Sequence, residues 1–132
     1  MSYYFNKTVN IDFETAISNV TAKLKEKGFG VLTEIDVQAT LKKKIDVDFY
    51  KYRILGACNP QFAHKALMEE DKVGVMLPCN VIVQQKSDDS PVEVSAVDPI
   101  ASMQGISNPN LENVAKEVQG LLKEVIDELR NE

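Results

Sequence analysis

Cys58, Cys79 and His64 are the residues of this chain best suited to nucleophilic chemistry, and the chain holds only these two cysteines and this one histidine. Cys58 stands one residue before Asn59-Pro60, a strong helix start with asparagine as the cap and proline at the first helical position. Amides at the opening of that helix carry partial positive charge and can stabilise a nearby thiolate. The plainer alternative is a small buried thiol at a tight strand-to-helix turn, and free cysteine is often buried. Cys79 shares its parity with Leu77, Val81 and Val83, which reads as a buried core position. If the Cys58 turn and the Cys79 strand lie side by side, the sulfurs could form a redox pair, although this is not a Cys-x-x-Cys arrangement. His64 comes one turn into the helix that Cys58 precedes but lies off its apolar face, so an exposed side chain is expected. A Cys–His pair would need hydrogen-bond reach. Asn59 reads as a helix cap and Asn80 as a polar residue on the opposite face of its strand; either could line a pocket.

The elements that must position these residues follow from periodicity. Tyr3 to Val9 reads as an opening strand, and Asp12 can cap a helix whose apolar face is Phe13, Ile17, Val20 and Leu24, ending at Gly28. Phe29 to Val37 reads as a second strand with Val31 and Ile35 inside, and Asp36 to Lys44 as a short helix. Phe49 to Ala57 is a third strand, followed by a helix from Pro60 to about Glu70 with Phe62, Ala63, Ala66 and Leu67 on its apolar face. The shared parity of Val73, Val75, Leu77, Cys79, Val81 and Val83 predicts a half-buried strand, broken or bent near Pro78. Lys86 to Pro91 is a polar loop leading to a short strand, Val92 to Ala96, and Asp98-Pro99 marks a turn. Asn108-Pro109 then starts a long amphipathic helix marked by Leu111, Val114, Val118, Leu121, Leu122, Val125 and Leu129. These elements predict a single α+β domain over residues 1–132, an antiparallel sheet with two long helices on one face.

Composition narrows the partners. The chain has 132 residues, 44% of them hydrophobic and 27% charged, with a net charge of −5. That acidic balance argues against nucleic acid, whose binders neutralise phosphates with a basic face. Lys42-Lys43-Lys44 is the one dense basic run and reads as a solvated helix face. The uncharged run Val73 to Gln85, which no other run exceeds, is too short for a membrane span, which takes roughly 20 residues. The start of the chain shows no signal-peptide pattern, so a cytoplasmic location with free thiols is expected. No metal site is expected, since two cysteines and one histidine fall short of a four-ligand zinc pattern. No cofactor is expected either, because the Walker, dinucleotide, serine-elbow and His-Glu-x-x-His motifs are missing.

Gly56-Ala57-Cys58-Asn59-Pro60, followed by Phe62-Ala63-His64 and by Leu77-Pro78-Cys79-Asn80-Val81, closely resembles the hallmark pattern of the family called "domain of unknown function 302". The amphipathic opening and the long final helix resemble it too, so the likeness covers nearly the whole chain. It implies a fold similar to the TATA-binding-protein repeat: strand, helix, four strands, helix, with short helical insertions. It implies neither DNA binding nor any particular activity.

Three functions compete. The leading one is a binding module whose cleft, at the Cys58 and Cys79 turns, holds a small ligand or protein partner, with Cys58, Asn59, His64, Cys79 and Asn80 as candidate site residues. The second is a structural or interaction protein, a homodimer through an uncovered sheet edge. The third is a cysteine-dependent sulfur-transfer or redox enzyme using Cys58 with help from His64 or Cys79.

Overall fold

In the computed structural model, which describes residues 2–131, the chain runs through β1 (Tyr4–Val9), α1 (Phe13–Glu26), β2 (Gly30–Asp36), α2 (Val37–Ile45), β3 (Lys51–Cys58), α3 (Pro60–Glu69), a 3-10 turn (Val73–Met76), β4 (Cys79–Gln85), β5 (Val92–Val97), α4 (Pro99–Ser102) and α5 (Pro109–Asp127). Asp12, Asp36, Asn59, Asp98 and Asn108 each end a non-helical segment and cap the helix that follows, accepting a hydrogen bond from its first turn. Gly28, with φ of 89°, supplies the left-handed residue that reverses the chain after α1.

The strands form one antiparallel sheet in the order β1-β5-β4-β3-β2. One strand, one helix, four strands and one long helix therefore follow in the expected order, with α2, α3 and α4 as short insertions. Helices α1 and α5 cover a single face. Phe13, Ala16, Ile17, Val20 and Leu24 of α1 meet Val118, Leu122, Val125 and Ile126 of α5 over Leu55, Val81, Val83, Val92 and Val94 of the sheet. Each of the Phe, Ile, Leu and Val side chains among them, once buried, contributes about 1.5–3 kcal/mol of transfer free energy. A smaller cluster of Ala66, Val73 and Leu111 joins α3, the 3-10 turn and the start of α5. The C-terminal end of α5 is tied to β1, because the Lys7 ammonium donates to the carbonyls of Asp127 (3.0 Å) and Leu129 (2.6 Å).

Two strand expectations are corrected. Val73–Met76 is a 3-10 turn and not part of a strand: Val73 is buried while Val75 is 82% exposed, so their shared parity does not mark one face. The strand begins at Cys79 because Pro78 lacks the amide a ladder needs. In β2 the inside-facing pair Val31 and Ile35 is split. The register shifts between Val31, opposite Ala57, and Thr33, opposite Gly56, so Leu32 bulges out and Ile35 emerges on the uncovered face. On α3, Leu67 is exposed instead of joining the apolar face. The lysine run of α2 is exposed as expected, with Lys42 pairing Asp46 and Asp48.

Gly56 sits where three segments crowd. A Cβ there would lie 2.1 Å from Thr33 Oγ1 and 2.9 Å from Pro78 Cγ. Gly56→Ala is expected to cost roughly 1–3 kcal/mol by overpacking, with part of the loss recovered in the Gly56→Ala, Thr33→Ala double variant. Urea unfolding of the two variants checks this, and an unchanged midpoint in the single variant would refute it.

Candidate functional site

Strands β3 and β4 pair so that Ala57 faces Cys79 across the ladder and Gly56 faces Asn80. That register brings the Gly-Ala-Cys-Asn-Pro and Leu-Pro-Cys-Asn-Val segments to the same end of the sheet. Helix α3 leaves from one and the 3-10 turn arrives at the other. Between these turns, α3 and the first half of α5 lies a cavity of about 40 Å³. Phe29, Cys58, Asn59, Pro78 and Cys79 wall its sheet end, Phe62, Ala63 and Ala66 its α3 side, and Leu111, Ala115 and Val118 its α5 side. The cavity is small but exceeds the roughly 10–15 Å³ needed for one water.

The five candidate residues fall into three places. Cys58, half-buried, and Cys79, buried, are both free thiols on the cavity wall. Asn59 joins them as the cap of α3, accepting from the Phe62 amide at 3.4 Å. Its side-chain nitrogen also fills the space beside Gly28, where a Cβ would come within 2.9 Å. Asn80 is exposed on the opposite, uncovered face of the sheet. His64 is exposed on α3 and is not among the residues that line the cavity.

The electrostatics of the cavity are those of an apolar site. Burial pushes the Cys79 thiol up to about 11, with the neighbouring Cys58 adding to the shift. A group raised this far is a protonated, weakly nucleophilic thiol at neutral pH. Apart from the two cysteines, the described residues lining the cavity include no ionisable side chain. Among the described residues no group of three or more His, Cys, Asp and Glu comes together as a metal site.

The α5 wall was not foreseen from the residues. Ala115, a small residue on the apolar face of a long helix, is the one sequence signal that could have suggested it, since it leaves room where Leu or Val would fill the space.

Because the folded pKa of Cys79 lies above its ordinary value of 9.0, the unfolded chain gives up this proton first. Stability from the buried thiol is therefore complete below about pH 9 and is lost as pH rises toward 11, by roughly 2–3 kcal/mol in all. Cys79→Ala is expected to flatten this alkaline limb in denaturant titrations between pH 8 and 11. An unchanged limb would assign it elsewhere.

No curated protein matches the chain. Among solved structures it is similar to the crystal structure of an uncharacterised conserved DUF302 protein from Bacillus stearothermophilus, with a TM-score of 0.90 and 27% sequence identity over 98% of this chain and 100% of that one. The family model for the domain of unknown function DUF302 matches residues 5–129, and the chain belongs to that family.

Proposed function

We propose that this chain is a small binding module, working in the reducing cytoplasm, whose Cys58–Cys79 cavity takes an apolar group of a small ligand or partner. The observation that carries this reading is the convergence of the two cysteine-bearing turns on one cavity, with α3 and α5 as its other walls. The lining supports binding over acid–base catalysis, since its described residues supply apolar contact and no proton-transfer group beyond two thiols. The small volume suits the end of an aliphatic chain or a single small apolar molecule.

Xenon, which binds preformed apolar cavities, is the first probe. Amide and methyl NMR spectra under xenon pressure are expected to shift at Cys58, Phe62, Ala66 and Ala115, with the shifts lost in Ala115→Leu. Spectra that do not respond, or that respond equally in the filled variant, would overturn the reading.

Thiol chemistry at Cys58 is a second reading, favoured by its half-buried place at the start of α3 beside Cys79. Iodoacetamide labelling at pH 7.5, followed by mass spectrometry at each cysteine, separates the two. The binding reading expects Cys58 to label no faster than in the unfolded chain and Cys79 to stay silent until unfolding. Labelling of Cys58 ten-fold or more above the unfolded rate would move the assignment to thiol chemistry.

A further inference from the structure

The sheet face opposite α1 and α5 is exposed at Tyr4, Asn6, Asn80 and Ile35, and the strand register orders its side chains into rows. The middle row carries Ile82, Ile54 and Ile35 on three adjacent strands, and continues into Ser95 and Asn6, which hydrogen-bond each other at 2.6 Å. Tyr4 and Tyr52 stand in the rows on either side, over a broad concavity of about 450 Å³. Tyr52 continues into an aromatic group, with ring centroids 6.1 Å from Tyr50 and 6.3 Å from Phe49.

Charge distinguishes this face from the rest of the surface. The chain is 27% charged and carries a net −5, yet among the described residues lining the concavity Lys86 and Glu93 are the only charged ones. The carboxylates of β2 and the cations of β3 are turned to the other side, where Arg53 pairs with Glu34, Glu14 and Asp36. A concavity lined by aromatic, aliphatic and amide side chains, with one charge of each sign among its described residues, has the composition of an interface core. Its neutrality matters because two copies of an acidic chain could meet there without setting like charges together.

The area is adequate. Five strands about 4.8 Å apart, each presenting roughly 20 Å of length, span about 500 Å² before side-chain relief is counted. Adding the aromatic rim reaches the lower range of specific dimers and exceeds an incidental contact. We propose that the uncovered sheet face is the contact surface of a homodimer, in which a second copy of this chain packs its own Ile82–Ile54–Ile35 row against the first. The contact is isologous, and it uses the sheet face instead of the uncovered sheet edge that stood as an alternative from the sequence.

Sedimentation velocity on the full chain between about 1 µM and 0.5 mM tests this. The wild type is expected to reach twice the chain mass at the upper end. Ile54→Glu and Ile35→Glu are expected to remain at the chain mass, while Leu67→Glu on α3 dimerises like wild type. Ile35 is already 47% exposed, so its variant keeps the test valid if Ile54→Glu fails to fold. A wild type that stays monomeric at 0.5 mM would overturn the proposal. A dimer that survives in folded Ile35→Glu would overturn it too, by placing the contact elsewhere.

Discussion

The pairing of β3 with β4 is the constraint on which the rest of the molecule depends, and it turns on a missing side chain. Gly56 lets Thr33 of β2 and the ring of Pro78 approach the same point on β3. With that approach allowed, Ala57 can face Cys79 and the ladder can run to its last residue. Both strands then stop at the same end, one just before Asn59-Pro60 and the other just after Pro78. A proline without an amide bounds the ladder on each side, so the segments beyond it are free to turn away. The space between α3, the 3-10 turn and α5 opens where the sheet stops. It remains small because the apolar groups of α3 and α5 close on it.

The two faces of the sheet divide the physics of the chain between them. The helix-covered face buries aliphatic side chains almost completely and turns its charges to the margin. There Arg53 gathers three carboxylates and lies over the ring of Phe13, 5.6 Å from its centroid. Among the described residues the buried Nε of Arg53 finds no hydrogen-bond partner, so this network is a compromise between packing and solvation. On the other face, polar amides, tyrosines and isoleucines stand in rows with little charge among them.

Much of this was legible in the sequence, and for identifiable reasons. The helix starts could be read because Asp12, Asp36, Asn59 and Asn108 do local work that needs no knowledge of distant contacts. The long helices could be read because Phe13, Ile17, Val20 and Leu24, and later Val118, Leu122 and Val125, repeat at helical spacing and all face one core. Val73 to Leu77 misled because a 3-10 turn with Val73 anchored against Ala66 and Leu111 can imitate strand alternation over a few residues. The site was legible only in part. Cys58, Asn59 and Cys79 come together through β-pairing, whereas Asn80 is carried to the far face by the alternation of a strand and His64 to solvent by the pitch of α3. The α5 wall depends on how α3 and α5 meet, a distant contact of which Ala115 is the one local sign.

The bulge at Leu32 decides how this sheet can grow. An outer strand invites addition when it offers an unbroken row of free amides and carbonyls along its length. In β2 the spacing is interrupted after Val31, and Leu32 stands out at 69% exposure where an incoming strand would have to align. Past the interruption, Glu34 and Asp36 are held by Arg53, and the chain turns at once into α2. An added strand would find too short a straight edge to form a continuous ladder. At this edge the chain is therefore guarded against open-ended, fibre-like polymerisation.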